Sequence, residues 1–413
     1  MKNRLAVNLL MLVLPASLPA QEMPHSVAEA QKMEREDALP ATPLYSNPTL
    51  GTSRPGDLLA QEPVTSYSLP VGSAVRIAYH SRDAGGRDVP ATAAVLVPAG
   101  KAPPGGWPVI AWGHGTSGVA RHCAPSLMKD VWYGDEGLKD MLRAGFAVVA
   151  TDYQGLGGPG VHPWVNKTAQ ARDMIYSVPA ARNAVPALGA RWVADGHSQG
   201  GLAAWGVAEL ESLLNDPNYL GAVSVAGAVR LDQFLELMGQ TQGGLTMYVA
   251  YMGWAIHARF PGFKPEDLLT PRAMELYGQV TTQGCWYYGY AMFLDMPKQG
   301  ALNANWRQNP YMQRFAKEDQ EGDTPINKPL LVLAGEADLS IPIAAVREVV
   351  ARACGKGSAL QFKSYPGLDH DPTMINSMPD QLTWIHERFA GKAALSNCPR
   401  SGPSSGKGSS AGR

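Results

Sequence analysis

Gly196-His197-Ser198-Gln199-Gly200 places a serine where its hydroxyl can act as a nucleophile. An apolar run, Arg191-Trp192-Val193-Ala194-Asp195, precedes it, and a helical run from Gly201 to Leu210 follows. Strand, G-x-S-x-G and helix together form the context of a nucleophile elbow, which presents the serine at the carboxyl end of a strand. The tight turn needs small neighbours, and Gly196, Gly200 and Gly201 meet that need. A serine hydroxyl attacks a carbonyl only when a base removes its proton, so a histidine and an orienting acid are required.

Chain order narrows those partners. In this architecture the acid and the histidine follow the serine, each on a loop after a later strand. Leu330-Leu331-Val332-Leu333-Ala334 is a strand, and Gly335-Glu336-Ala337-Asp338 leaves it. Asp338 is the expected acid, with Glu336 and Asp323 as competitors and helix capping as its alternative role. Of nine histidines, only His370 lies in a loop between the last strand and the last helix. It is the expected base. Asp369 and Asp371 flank it, but no further ligand cluster accompanies them, so no metal is expected.

An oxyanion formed by attack on a carbonyl needs preorganised donors. One is expected from the backbone N–H of Gln199. The other is expected from Thr116 in the loop His114-Gly115-Thr116, with its hydroxyl as an additional donor. Tyr153, Trp286 and Tyr287 are the candidate substrate-binding residues. Asp195 is expected to be structural, His197 structural or pocket-lining, and Glu209 and Glu211 solvated. No cofactor is needed for this chemistry.

These residues require a scaffold that brings them together. The chain alternates strands and helices, which implies a mainly parallel sheet covered on both faces. Strands are expected around 109–112, 144–152, 191–195, 220–227, 330–334 and 361–365, with a hairpin over 72–98. Helices are expected over 26–37, 168–188, 201–210, 342–354 and 380–390, with Pro179 and Pro186 kinking or ending the second. About a hundred residues separate strand 220–227 from strand 330–334, whereas one crossover helix needs about a dozen. This insertion is rich in methionine and aromatic residues and is expected to form a helical cap, or lid.

Composition excludes several classes. A formal charge of −1 over 413 residues argues against nucleic acid as a partner. A hydrophobic share of 45% supports a large core. Lys2 and Arg4, the apolar run 5–14 and small residues through Ala20 read as a secretory signal. The four cysteines then suggest disulfides. Cys354 and Cys398 flank the last strand and helix, which pairs Cys123 with Cys285 by elimination, although four cysteines allow three connectivities. The expected organisation is a signal peptide over 1–20, an N-terminal arm over 21–60, a core over 61–227 and 324–400, a cap over 228–323 and a disordered tail over 401–413.

Gly113-His114-Gly115-Thr116, Cys123-Ala124-Pro125-Ser126, Asp152-Tyr153-Gln154-Gly155-Leu156-Gly157 through His162-Pro163, and Gly196-His197-Ser198-Gln199-Gly200-Gly201 together resemble the secretory lipases of the lipase A type. The Asp338 loop and the His370 loop leading into Trp384-Ile385 and Arg388-Phe389 extend the likeness over about residues 60–400. The resemblance implies an α/β-hydrolase fold with a helical cap, a Ser-Asp-His triad of Ser198, Asp338 and His370, and carboxylic ester substrates. It also supports the two-bridge pattern. The expected protein is a secreted serine ester hydrolase, extracellular or periplasmic and monomeric, with a lipid or small-molecule ester as substrate and transient contact with a lipid interface. Esterases on short-chain or plant cell-wall carbohydrate esters, acyltransferases and non-catalytic binding proteins on the same fold are the alternatives.

Overall fold

The computed structural model describes residues 23–399, except Asn47 and Ala228. The expected signal peptide and the expected tail lie outside the described residues. The strands are β1 (Leu58–Pro63), β2 (Val71–Arg82), β3 (Asp88–Pro98), β4 (Trp107–Gly113), β5 (Ala147–Thr151), β6 (Leu188–His197), β7 (Tyr219–Val225), β8 (Leu330–Gly335) and β9 (Leu360–Tyr365). They form one sheet in the order β1-β2-β3-β5-β4-β6-β7-β8-β9. Pairing is antiparallel from β1 to β5 and parallel from β5 to β9. The parallel strands β5 and β8 are buried along their whole length, as expected when helices cover both faces.

The helices are α1 (Val27–Asp37), α2 (Pro43–Ser46), α3 (Lys139–Arg143), α4 (Lys167–Ala184), α5 (Gln199–Leu214), α6 (Leu231–Gln240), α7 (Met247–Arg259), α8 (Pro271–Thr282), α9 (Trp286–Met292), α10 (Pro310–Glu318), α11 (Ile343–Gly355) and α12 (His370–Phe389). One face of the sheet packs on Met141 and Leu142 of α3 and on Met374, Met378 and Ile385 of α12. The other face packs on α4, α5 and α11 in a larger core that continues into α6 to α10. This is an α/β-hydrolase architecture with helices inserted between β7 and β8.

Three differences from the sequence expectations have local causes. α4 runs through Pro179 and stops at Ala184, two residues before Pro186. Proline removes one helical hydrogen bond, but α4 packs on the sheet and side by side with α5, and that packing holds the helix together. α12 begins at His370, ten residues before the expected start. Pro372 and Pro379 mask its helical pattern, although a proline in the first turn removes an N–H that has no intrahelical partner. β1 adds an antiparallel edge strand within what the sequence suggests is the end of the arm.

Glu209 and Glu211 are buried, not solvated. Glu209 pairs with Lys167 Nζ at 2.6 Å and accepts from the Gly322 N–H at 2.8 Å. Glu321 accepts from the Val229 N–H at 2.7 Å, and Asp319 accepts from the Lys167 N–H at 2.8 Å. The chain therefore enters and leaves the inserted helices through one buried polar cluster. Glu211 accepts from the Asp216 N–H, and burial raises its carboxyl to about 7. Disulfides join Cys123 to Cys285 and Cys354 to Cys398. The first ties the loop after β4 to the start of α9. No helix among the described residues is long and apolar enough to cross a membrane.

Candidate active site

β6 ends at His197 and α5 begins at Gln199, so Ser198 forms the whole turn. Its backbone has φ +56° and ψ −121°, a conformation that costs a non-glycine residue about 1–3 kcal/mol. The Ser198 N–H holds the turn by donating to the Val225 carbonyl at 2.9 Å. Glycine is required on either side. A Cβ at Gly200 would stand 1.8 Å from the Gly113 carbonyl oxygen, and one at Gly196 would stand 2.3 Å from the Gly200 oxygen. The local sequence thus pushes the serine out over the β4 and β6 ends while keeping the turn in contact with both neighbouring strands.

Three side chains meet there. Ser198 Oγ lies 2.9 Å from His370 Nε2, and His370 Nδ1 lies 2.8 Å from Asp338 Oδ2. The other Asp338 oxygen accepts from the N–H groups of Ser340 and Ile341 at 2.8 and 2.7 Å. Those bonds fix the carboxylate and help to hold it below the usual carboxylate range. Burial works against charging Asp338, but His370 and these donors outweigh it. Burial likewise opposes a charge on His370. Asp338, with smaller contributions from Asp371 and Asp369, overcomes that and raises the imidazole to about 9. Asp369 caps α12 by accepting from the His370 N–H, and it also accepts from the Leu339 N–H, so it locks the His370 helix to the Asp338 loop.

The competitors for the acid role stand elsewhere. Glu336 is exposed and bonded to Ser364 and Arg347, and Asp323 is exposed beside Arg352. His197 is buried, with Nδ1 2.7 Å from the Tyr133 hydroxyl and its ring 4.7 Å from that of His370. Burial, aided by the nearby His370 charge, lowers it to about 3. Asp195 is fully buried, and burial drives its carboxyl well above the usual range. His197, His370 and Asp371 come within ligand distance of one another, but both His370 ring nitrogens already have partners.

Thr116 and Gln199 lie against the same cavity as Ser198. Gln199 opens α5, so its N–H is one of the helix-terminal donors without an intrahelical acceptor. The Thr116 hydroxyl differs from expectation. It donates to Gln199 Oε1 at 3.1 Å and accepts from Trp164 Nε1 at 2.9 Å. The same hydroxyl also interacts with the Tyr248 hydroxyl, so it is engaged by side chains of the cavity wall.

Two cavities open from this point. A narrow inner one is walled by Trp164, Leu202, Val229, Leu231, Phe234 and Ile341. A wider outer cleft is walled by Trp132, Glu136, Trp286, Tyr290 and Asp371. Tyr248 borders both, and its hydroxyl accepts from Trp286 Nε1 at 2.8 Å. Glu136 is raised to about 8, first by burial and then by Asp371 and the acids around it.

Of the three expected substrate contacts, only Trp286 lines one of these cavities. Tyr153 is fully buried behind them, where its hydroxyl donates to the His114 carbonyl at 3.2 Å and its ring packs on His114. Tyr287 turns to the far side of α9, against Ala30 of α1 and the Trp132 ring. A seven-residue helix shows two faces, and sequence spacing alone does not tell which meets the sheet. Trp132, Trp164, Leu231 and Phe234 are lining residues that the sequence does not reveal. The His162-Pro163-Trp164 turn is the one local signal that marks any of them.

No curated protein matches the sequence. Among solved structures, the chain is similar to closed-state lipase A of Candida antarctica, with a TM-score of 0.74 and 18% identity over 87% of this chain and 89% of that one. It is also similar to the rice cell wall degrading esterase LipA of Xanthomonas oryzae, with a TM-score of 0.67 and 18% identity over 82% and 99% of the two chains. A putative hydrolase of Legionella pneumophila gives a TM-score of 0.67 at 16% identity over 82% and 100%. At such identities these likenesses speak for the fold. The model of the secretory lipase family matches residues 133–397, which span the turn at Ser198, the Asp338 loop and His370. The chain therefore belongs to the secretory lipase family and is a carboxylic ester hydrolase.

Proposed function

We propose that this protein cleaves carboxylic esters through an acyl-enzyme on Ser198. The hydrogen-bonded chain Ser198–His370–Asp338, at 2.9 and 2.8 Å, is the observation that carries the assignment. Ser198 Oγ attacks the ester carbonyl while His370 Nε2 takes its proton. Asp338 holds the ring through Nδ1 and stabilises the imidazolium. The backbone N–H groups of Gln199 and Thr116 receive the oxyanion. His370 then gives its proton to the departing alcohol, and a water activated by the same nitrogen releases the acid.

The two cavities divide the substrate. The apolar inner cavity suits the acyl chain, and the larger outer cleft suits the alcohol. This division favours esters of short acyl chains with a bulky polar alcohol, because the outer cleft offers both aromatic surfaces and carboxylates. A carbohydrate-linked ester is thus the preferred substrate class within the lipase and esterase range. Helices α6 to α10 act as the cap, and residues 1–20 direct secretion as a signal peptide. The two disulfides fit an oxidising compartment. The chain acts as a monomer.

A fluorophosphonate probe tests the nucleophile. Mass spectrometry should find it on Ser198, and Ser198→Ala should abolish both labelling and hydrolysis of p-nitrophenyl butyrate. A label at another residue of active protein would overturn the assignment.

A further inference from the structure

Glu34 lies on α1, outside the sheet and away from both cavities that reach Ser198. Its carboxylate nevertheless reaches the start of α9. One oxygen accepts from the Tyr288 N–H at 2.8 Å, and both accept from the Cys285 N–H at 3.0 and 3.1 Å. α9 has no side-chain cap of its own, because Cys285 at the capping position is held in the disulfide to Cys123. The Trp286 N–H is taken by the Ser117 carbonyl at 2.9 Å. The beginning of α9 is therefore stitched to the loop that carries Thr116 on one side and to α1 on the other. Ala30, Val27 and Met33 of the N-terminal segment pack on Tyr287 and Ala291, which seats α1 along the back of α9.

The front of α9 is the wall of the outer cleft. Trp286 and Tyr290 lie one turn apart and stack at 5.5 Å with 15° between their planes. Trp286 also donates to Tyr248, which borders both cavities. A displacement of α9 moves this aromatic wall and leaves the Ser198–His370–Asp338 chain where it is, since that chain rests on β6, β8 and α12.

We propose that Glu34 is a positioning residue for the alcohol half of the substrate: by bonding to the Cys285 and Tyr288 N–H groups it sets the Trp286–Tyr290 wall without touching the reacting atoms. A carboxylate suits the role because it is acceptor-only and is favoured beside helix-terminal N–H groups. The inference rests on the proposed ester hydrolysis.

Glu34→Ala and Glu34→Gln test it with two butyrate esters that share an acyl group, ethyl butyrate and 2-naphthyl butyrate. In Glu34→Ala, KM for the naphthyl ester should rise about tenfold, the scale of one lost helix cap, with kcat and both constants for ethyl butyrate within about twofold. Glu34→Gln keeps one acceptor oxygen and should fall between. Amide exchange over 285–292 should accelerate in Glu34→Ala and not in β6 or α12. If Glu34→Ala fails to fold, Glu34→Gln carries both measurements. Equal losses on the two esters, or unchanged exchange over 285–292, would overturn the proposal. Wild-type turnover of ethyl butyrate tests the underlying hydrolysis separately, and the exchange measurement tests the role of Glu34 without any substrate.

Discussion

The Thr116 hydroxyl donates to the side-chain carbonyl of Gln199 at 3.1 Å, so the two residues expected to hold the oxyanion are bonded to each other. Gln199 Nε2 continues the chain to His162 Nε2 at 3.1 Å, and His162 Nδ1 donates to the Gln154 carbonyl. Burial lowers His162 to about 3, which keeps its ring neutral and its Nε2 an acceptor. The network links the loops after β4 and β6, and in the proposed mechanism both backbone N–H groups serve the oxyanion. Thr116→Val keeps the backbone donor, so kcat should fall by about tenfold, well short of the about 10²–10³ lost with an oxyanion donor. Thr116→Ser should stay near wild type. A loss above a hundredfold in Thr116→Val would show that the hydroxyl itself serves the oxyanion.

Asp338 and Glu336 leave the same strand two residues apart, but only Asp338 reaches His370. Asp338→Asn should preserve the fold and lower kcat by about 10³–10⁴ by fixing the wrong tautomer. Glu336→Gln should remain within a few-fold of wild type. Steady-state kinetics of the two variants decide between them; a crippled Glu336→Gln beside an active Asp338→Asn would reverse the assignment.

Activity and stability should respond to pH in opposite directions. His370 is raised to about 9 in the fold, above the about 6.5 of an unfolded histidine. Its contribution to stability is complete below about 6.5 and is lost as pH rises through about 9. The same titration frees Nε2 to accept the serine proton. The pH profile of kcat/KM should therefore climb on the alkaline side of neutrality, while the Tm contribution declines there. Asp338→Asn removes the main stabiliser of the imidazolium and should move the activity limb to lower pH. A wild-type limb with its midpoint below 6.5 would contradict the ion pair.

Acyl preference should be set by α6 and the segment before it rather than by α9. Val229, Leu231 and Phe234 wall the inner cavity, whereas Trp286 faces the outer cleft. Each methylene that enters an apolar cavity contributes about 0.8 kcal/mol, a factor of roughly four in kcat/KM, until the space is full. Leu231→Trp should shift the optimum of a p-nitrophenyl ester series toward acetate. Trp286→Ala should leave that optimum in place and raise KM for bulky alcohols. An optimum that moves with Trp286→Ala but not with Leu231→Trp would exchange the two cavities.

The buried Lys167–Glu209 pair should be a strong determinant of stability. Lys167→Met leaves the Glu209 carboxylate without its cation between α4, α5 and the chain leaving α10, which should cost about 3–5 kcal/mol. Adding Glu209→Gln should recover part of the loss. Denaturant unfolding of the single and double variants measures both; a single variant within about 0.5 kcal/mol of wild type would mean that the pair is not coupled to the fold.

The order of the proposed triad was open to inspection because its signals are local. Gly196, Gly200 and Gly201 mark a turn that only glycines fit, and strand runs before Ser198 and Asp338 mark the loops that follow them. His370 follows from chain order. Its start of α12 does not, because Pro372 and Pro379 suppress the helical pattern that packing against β7 and β8 restores.

Sequence by itself determined the parts from which the chemistry is proposed: a serine in a tight turn between a strand and a helix, an aspartate and a histidine after later strands, and a long insertion. Tertiary structure decided everything that depends on which face of an element meets another. It turned Tyr153 and Tyr287 away from both cavities, buried Glu209 beside Lys167, and spent the Thr116 hydroxyl on Gln199. It also brought Glu34, 251 residues before Cys285, to the back of α9. Backbone turns are set by neighbours in the chain, and a few residues suffice to show them. Side-chain partners are set by the three-dimensional packing of distant segments, which no local pattern records.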